Sequence, residues 1–351
     1  MSDVTLAVVA GTTETAAIDG ISAAGADPEL RRHTPSADLE IVADGRPAGD
    51  AVVPVSPSGC PTPAVVTRAV RELVGFEFVG IDAGLAVPTA PLSAPVLDAG
   101  AAPGGDVRDP EPVPDAAAVF ETARDSVPDV MEAPPDGPAG DDDRELLVAE
   151  TIPGGTTTAL GVLTALGERP AVSSSLPANP LRTKRAVVEE GLAASGIAAG
   201  DAAGDPIEAL RLLGDPVLAA AAGLLVGAVE RGVPVTLAGG TQLAAVAALA
   251  RHAGVERRLP LATTSLVADD PTADVGALAD DLGLTLAATD PSFDESDHPA
   301  MAAYARGEAK EGVGMGGALA LSERAGVPAG DVRDRVAAIT DRLLADTESP
   351  P

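Results

Sequence analysis

The chain has 351 residues, 46% of them hydrophobic, which is enough to bury a full core and argues against disorder. Its 53 acidic and 23 basic residues leave a formal net charge of −30, and a field of that sign repels nucleic acid and anionic lipid. The acids are spread along the chain and lysine is almost absent, a pattern that indicates a halophilic protein.

Residues 1–100 are predicted to form an N-terminal α/β part. The run 4–10 is predicted to be a strand that ends at Gly11, and the apolar runs 39–42, 51–55 and 76–81 are further strand candidates. Residues 63–73 have helical apolar spacing after a proline-rich start.

The N-terminal segment carries no basic stretch, and the chain contains no run of about eighteen apolar residues. We therefore predict neither a signal peptide nor a membrane span, and we expect a cytoplasmic protein. One cysteine, Cys60, excludes an internal disulfide. The three histidines lack the spacing of a metal site, so we expect no metal and no cofactor.

Residues 101–143 are rich in Asp, Pro and Gly and are predicted to be an acidic linker or surface excursion, interrupted by one helix near 115–124. A core follows at 144–325, and then a C-terminal helix and tail at 326–351. The core strands are predicted at 145–149, 233–237, 261–267 and 284–287. The helices from there to the C-terminus are predicted at 156–166, 181–195, 205–213, 217–231, 241–253, 273–282, 316–326 and 332–344.

This alternation, with continuously apolar strands, predicts an α/β fold. We expect a three-layer, Rossmann-like parallel sheet with helices on both faces and a small helical subdomain. In such sheets, ligands bind at the carboxyl ends of the strands, where glycine-rich loops lead into helices.

The first glycine loop follows the strand that ends near Glu150. Gly154 and Gly155 allow a tight turn, and Thr156 and Thr157 open the next helix. Unpaired amides at a helix start, with hydroxyls beside them, favour a phosphate. The alternative is a threonine N-cap after a glycine turn. No lysine follows the glycines, so the loop is not a Walker A motif.

Two further loops have a related design. Gly239 and Gly240 separate an apolar strand from a helix that begins with threonine. Glu311 stands at the entrance of a loop that contains Gly312 and Gly314. That glutamate is either a functional carboxylate or a solvated side chain beside a flexible turn.

The chain has only two lysines, Lys184 and Lys310. Their retention in an otherwise lysine-depleted chain favours a task that a flat guanidinium cannot perform, and chance survival is the alternative.

These motifs carry a resemblance to a known family. The segment Glu150-x-x-x-Gly154-x-Thr156-Thr157 resembles the Glu-x-x-x-Gly-Asn-Thr-Thr loop of nicotinate-nucleotide–dimethylbenzimidazole phosphoribosyltransferases. The helix that begins near Lys184 is similar to the family's lysine-bearing helix, and 311–321 is similar to its terminal glycine-rich motif. The matches keep their chain order over 145–325, and 151–158 and 310–314 resemble the archaeal branch in particular.

The resemblance implies transfer of a phosphoribosyl group from nicotinate mononucleotide to 5,6-dimethylbenzimidazole or a related aromatic nitrogen base. Glu311 would then be the catalytic base, and Glu150 a second carboxylate near it. Lys184, with the amides around Gly154, Gly155 and Gly239, would hold the donor phosphate. A homodimer is also implied.

Three positions depart from the family pattern: Val217 and Ala238 replace acidic residues, and Gly155 replaces an asparagine. Two alternatives therefore stay open. One is a different enzyme on the same scaffold, such as a kinase or another glycosyltransferase. The other is a non-catalytic nucleotide-binding or regulatory protein.

Overall fold

The computed structural model describes residues 3–25, 28–48, 53–90, 92–132 and 144–348. Its strands are β1 (Val4–Ala10), β2 (Glu77–Asp82), β3 (Val96–Asp98), β4 (Glu145–Thr151), β5 (Val235–Ala238), β6 (Leu259–Thr264) and β7 (Leu284–Thr289). Two 3-10 helices span Glu14–Ala17 and Phe293–Glu295. The α-helices are α1 (Pro28–Arg31), α2 (Thr34–Asp44), α3 (Ala64–Val74), α4 (Ala116–Asp125), α5 (Val127–Met131), α6 (Gly155–Leu166), α7 (Leu181–Ser195), α8 (Pro206–Leu213), α9 (Pro216–Glu230), α10 (Thr241–His252), α11 (Ser265–Ala268), α12 (Val275–Asp281), α13 (Pro299–Ala305), α14 (Met315–Arg324) and α15 (Ala329–Glu348).

The strands form one sheet in the order β3-β2-β1-β4-β5-β6-β7, and every neighbouring pair is parallel. This arrangement confirms the predicted α/β fold. The chain reverses its direction across the sheet between β1 and β4, which are adjacent. Loops that leave neighbouring strands at such a switch point part in opposite directions and leave a crevice at the carboxyl edge.

Helices cover both faces of the sheet. On one face α9 and α10 pack over β4, with α6 beside α10, and on the other face α2, α3 and α14 pack together over β1, β5 and β6. The alternation of side chains along β4 assigns Val148 to the first layer and Ala149 to the second. Successive side chains near the carboxyl end of β4 therefore enter the crevice from opposite faces of the sheet.

The layer formed by α4 and α9 depends on glycine. A Cβ placed at Gly223 would overlap the Phe120 carbonyl, and one placed at Gly227 would overlap the Arg124 carbonyl. The two helices therefore meet backbone to backbone. This close approach fills the interior of a chain in which only 1% of residues are aromatic.

Some predicted elements differ from the structure. The run 39–42, a strand candidate by sequence, lies inside α2, so that prediction is wrong. Every α2 residue from 34 to 43 is buried, and the helix therefore has no polar stripe by which its sequence could be recognised. The predicted strand 261–267 ends at Thr264, and α11 begins at the next residue, Ser265. Residues 51 and 52 lie outside the described residues, and 53–55 contain only an isolated bridge from Val55.

The acidic segment contains more packed structure than its composition suggests. Helices α4 and α5 both lie in it and both contact α9. Residues 133–143, with the aspartates at 141–143, lie outside the described residues. The domain boundaries at 100, 143 and 325 stay predictions.

Candidate active site

A cavity of about 890 Å³, its open mouth included, lies beyond the carboxyl ends of β4 and β5. Both α6 and α10 begin at its wall, where Gly155 and Thr241 line it. The opposite wall comes from segments of the N-terminal half that lie before α3. The cavity is therefore bounded by segments from both halves of the chain.

The first glycine loop forms one wall of the cavity. Gly154 adopts a φ of 85°, in the left-handed region, and caps α6. A Cβ at this glycine would come within 3.0 Å of the Ala16 backbone nitrogen, so glycine is required for space as well as for conformation. Gly154 thus places the first turn of α6 at the cavity wall, where the positive end of a helix favours an anion.

The second glycine loop adds polar groups without partners. Gly240 and Gln242 line the cavity. Within the described part of the chain, the Gln242 Nε2 and the Ser173 Oγ are buried and have no hydrogen-bond partner. Buried polar groups are nearly always hydrogen-bonded, so these two atoms are open to a water molecule or to a polar ligand in the cavity.

Glu311 is held at the cavity wall by four donors. Its Oε1 accepts from the backbone N–H groups of Gly316 at 2.9 Å and of Gly312 at 3.3 Å. Its Oε2 accepts from the Thr264 N–H at 3.2 Å and from the Thr263 hydroxyl at 3.3 Å. Burial raises the pKa of Glu311 to about 7, although these hydrogen bonds act in the opposite direction. A carboxylate with a pKa near neutrality is suited to general-base catalysis, and uptake of a proton requires one of its two longer contacts, to Gly312 or Thr263 at 3.3 Å, to give way.

The loop that carries Glu311 has an unusual backbone. Ala309 and Val313 adopt positive φ values of 44° and 54°. Such values are uncommon for residues with a side chain, and most of all for a β-branched one. The Thr67 hydroxyl fixes the loop by donating to the Val313 carbonyl at 2.8 Å, and the Val313 N–H donates to the Glu150 carbonyl at 2.8 Å. The loops of the two predicted carboxylates are therefore directly bonded to each other.

A buried ion pair anchors the same loop. The Lys310 ammonium lies 2.6 Å from Asp270, and the two side chains are 7% and 10% exposed. The Thr264 hydroxyl donates to the Lys310 carbonyl at 2.6 Å. These contacts fix the residue that directly precedes Glu311.

Glu150 enters the cavity from the end of β4 and is 5% exposed. Burial and the negative charges of Asp215 and Glu311 raise its pKa to about 8. The Gln242 amide partly opposes this rise, although its nitrogen falls short of hydrogen-bond geometry. Glu150 is therefore mostly protonated at neutral pH and can donate a hydrogen bond, whereas Glu311 can accept a proton.

The cavity brings together most, but not all, of the predicted site residues. The ones that line it are Glu150, Gly154, Gly155, Thr156, Gly240, Glu311 and Gly312. The predicted residues outside its lining are Thr157, Lys184, Gly239 and Gly314.

The predicted residues outside the lining have other contacts. The Gly239 N–H donates to the Ala262 carbonyl. Lys184 is fully buried, and its ammonium donates to the Ser173 carbonyl at 2.6 Å, behind the cavity wall. Burial, followed by the nearby charge of Lys310, lowers the pKa of Lys184 to about 7. The Thr157 hydroxyl is buried and has no hydrogen-bond partner among the described residues.

The sequence analysis missed one carboxylate of the cavity, Asp38. This residue lies in α2, is 2% exposed and lines the cavity from the N-terminal side. The sequence signal for Asp38 was its position directly before the apolar run 39–42. Because that run was predicted to be a strand, Asp38 was not assigned to a site. Among the described residues, no cluster of His, Cys, Asp and Glu has the geometry of a metal site, and no helix is long and apolar enough to cross a membrane.

A family model described as phosphoribosyltransferase matches residues 143–265. A UPF0284 protein of Halobacterium salinarum is 56% identical over 97% of this chain and 98% of its own length. A UPF0284 protein of Methanothermobacter thermautotrophicus is 39% identical over 95% of this chain and 91% of its own length.

Two solved structures share the fold. The crystal structure of CobT from Thermus thermophilus aligns with a TM-score of 0.61 at 18% identity, covering 96% of this chain and 83% of that chain. A structure of the nicotinate-nucleotide–dimethylbenzimidazole phosphoribosyltransferase from the same organism aligns with a TM-score of 0.57 at 18% identity, covering 99% and 86%. The family match and these folds confirm the resemblance predicted from the glycine loops.

Proposed function

Because the chain belongs to the UPF0284 family and part of it matches a phosphoribosyltransferase model, we propose that it transfers a phosphoribosyl group from nicotinate mononucleotide to an aromatic nitrogen base. The acceptor is 5,6-dimethylbenzimidazole or a related base, and the product is an α-ribazole-type phosphate for the lower ligand of a cobamide. The observation that carries the proposal is the cavity that Glu311 shares with the first turn of α6.

The donor phosphate lies at the starts of α6 and α10. The positive ends of the two helix dipoles favour an anion, and the buried Ser173 hydroxyl and Gln242 amide gain the partner that they lack. Lys184 acts from behind this wall: it holds the Ser173 carbonyl and adds positive charge without touching the solvent. A monophosphate donor contains no diphosphate, so this subsite requires no chelated metal.

In the transfer, a ring nitrogen of the acceptor attacks the anomeric carbon with its lone pair. The bond between that carbon and the pyridinium nitrogen breaks, and its electron pair leaves with nicotinate. The pyridinium is already cationic, so the leaving group needs no proton. The second ring nitrogen of the acceptor then gives its N–H proton to Glu311, whose pKa of about 7 fits this step. Glu150, protonated at neutral pH, donates a hydrogen bond to the sugar.

The test is the release of nicotinate at high salt. The protein is incubated with nicotinate mononucleotide and a panel of nitrogen bases, and nicotinate and the new nucleotide are measured by mass spectrometry. We expect release only when a base is present. Tight donor binding without release from the wild-type protein would instead support a non-catalytic nucleotide-binding protein.

The matched variant is Glu311→Gln. A general base contributes about 10²–10⁴ to a rate, so we expect a loss of that size. Calorimetric titration with nicotinate mononucleotide should give a nearly unchanged Kd, because glutamine keeps the size of the side chain and the phosphate subsite is separate. Full activity of this variant would show that Glu311 is not the base.

A further inference from the structure

Asp38 is the only charged side chain on the wall of the cavity that comes from the N-terminal half, among the described residues. That wall is otherwise formed by small, apolar and hydroxyl side chains of the segments 22–25, 34 and 54–63. A buried carboxylate surrounded by such groups is costly unless hydrogen bonds compensate it.

The carboxylate of Asp38 has only part of its hydrogen-bonding capacity filled. Its Oδ1 accepts from the Thr62 hydroxyl and its Oδ2 from the Thr151 hydroxyl, each at 2.6 Å. No salt bridge to Asp38 occurs in the part of the chain that the structure describes. An ionised carboxylate offers about four lone pairs, so about two stay unused beside the cavity. Burial raises its pKa to about 7, which shows how incompletely the two hydroxyls stabilise the charge.

Asp38 reaches the cavity from the opposite face of the sheet to the proposed phosphate subsite. Asp38 approaches the cavity from α2, on the sheet face that also carries α3 and α14. The phosphate subsite lies at the starts of α6 and α10, in the layer on the other face. Thr62, which binds Asp38, is followed by Pro63, and a Cβ at Gly312 would lie 3.5 Å from the Pro63 Cγ. One wall therefore runs from Asp38 to the loop of Glu311.

We propose that Asp38 binds the acceptor base, with its carboxylate accepting a hydrogen bond from an N–H or O–H group on the ring edge away from the attacking nitrogen. This inference rests on the proposed transfer reaction and defines its acceptor class. Bases with an amino or hydroxyl substituent pair with Asp38, whereas a methyl group at the same place leaves a buried carboxylate facing apolar surface. Among the proposed acceptors, Asp38 therefore selects a polar related base over 5,6-dimethylbenzimidazole. Sites built around a hydrogen bond reject analogues that lack the polar group much more strongly than apolar pockets reject added groups.

The test compares two acceptors that differ in one group, 5-hydroxybenzimidazole and 5-methylbenzimidazole. With the wild-type protein, we expect kcat/KM to favour the hydroxyl compound by at least about tenfold. In Asp38→Asn, the preference should disappear through a higher KM for the hydroxyl compound, while the KM for nicotinate mononucleotide stays unchanged. Asparagine keeps both local contacts, since a threonine hydroxyl can donate to the amide oxygen or accept from the amide nitrogen.

The matched control is Glu40→Gln. Glu40 lies two residues further along α2, is 5% exposed, and accepts from the Ala48 N–H at 2.7 Å and from the Ala90 N–H at 2.9 Å. It does not line the cavity. Its substitution removes a buried carboxylate from the same helix and should leave the preference intact.

Three outcomes would overturn the inference. The first two are equal use of both acceptors by the wild-type protein and an unchanged preference in Asp38→Asn. The third is a higher KM in Asp38→Asn for the donor alone, which would assign Asp38 to the ribose hydroxyls. Failure of the proposed function is distinguishable, because the wild-type protein would then release no nicotinate with any base. In that case, titration of the protein with the same two bases still tests the inference. A tenfold preference in Kd that is lost in Asp38→Asn supports it, and equal affinities refute it.

Discussion

Breaking the buried ion pair between Lys310 and Asp270 should destabilise the fold and loosen the loop that carries Glu311. The two charged atoms lie 2.6 Å apart, and the side chains are 7% and 10% exposed, so water compensates little when one partner is removed. Removal of one member of a buried pair costs about 3–5 kcal/mol.

The structure ranks the two single variants. Asp270→Ala leaves the Lys310 ammonium buried and close to a second ammonium, that of Lys184, so its cost lies near the upper end of that range. Lys310→Met leaves Asp270 with hydrogen bonds from the Thr272 N–H at 2.8 Å and the Thr272 hydroxyl at 2.6 Å, so its cost lies near the lower end. The double variant Lys310→Met/Asp270→Leu should recover much of the loss, because no charge stays unpaired.

Urea denaturation at several KCl concentrations measures these costs. At 1 M salt the Debye length is about 3 Å, which screens exposed pairs but acts weakly on buried ones. The control is Arg124→Ala, which breaks the exposed contacts to Glu121 and Glu230 and should cost little at low salt and less at high salt. A cost below about 1 kcal/mol for Asp270→Ala, or a greater cost for Lys310→Met, would refute the reasoning.

Three further outcomes follow from the buried titratable groups. The kcat/KM for transfer should rise several-fold from pH 6 to about pH 7.5, as Glu311 ionises with a pKa of about 7, and should fall above pH 8, as Glu150, with a pKa of about 8, loses the proton that it donates to the sugar; a flat profile would remove Glu311 as the base. Burial raises the pKa values of Asp38, Glu150 and Asp215 to about 7, 8 and 6, so these groups bind protons more tightly in the folded state than in the unfolded state. Their contribution to stability should be complete below about pH 4 and be lost progressively toward pH 8. A Tm at pH 8.5 that equals the Tm at pH 5.5 in 2 M KCl would contradict this. Lys184→Met should raise the KM for nicotinate mononucleotide at least about tenfold without changing that of the acceptor, and equal changes in both would make the lysine structural.

The sequence predicted six of the seven strands in the described part of the chain and the glycine loops because their signals are local, but it missed β3. A continuously apolar run followed by glycine and threonine marks both the end of a parallel strand and the start of the next helix. The loops around Glu150 and Glu311 could therefore be placed at one edge of the sheet before any coordinates were known. The shared cavity depends on contacts between residues more than 160 positions apart in the sequence, such as the hydrogen bond from the Val313 N–H to the Glu150 carbonyl. The fold class alone nevertheless brings those two loops together.

The features that could not be predicted depend on packing in three dimensions. Helix α2 is buried along most of its length, so its apolar residues do not show the helical period, and Asp38 stayed hidden within it. The direction of the Lys184 side chain depends on how α7 lies against the segment around Ser173, which no spacing along the chain records. The hydrogen bond of the Gly239 amide depends on the partner strand, β6.

The contact between α4 and α9 limits how this protein can change. Where the main chain of one helix rests on the main chain of another, no side chain between them can become larger, and neither Gly223 nor Gly227 can gain even one methyl group without moving a whole helix. Because α9 lies directly on β1 and β4, such a movement would reach the strand that carries Glu150. Amino-acid substitutions among descendants of this chain should therefore be concentrated in its outer loops, while this part of the interior stays invariant.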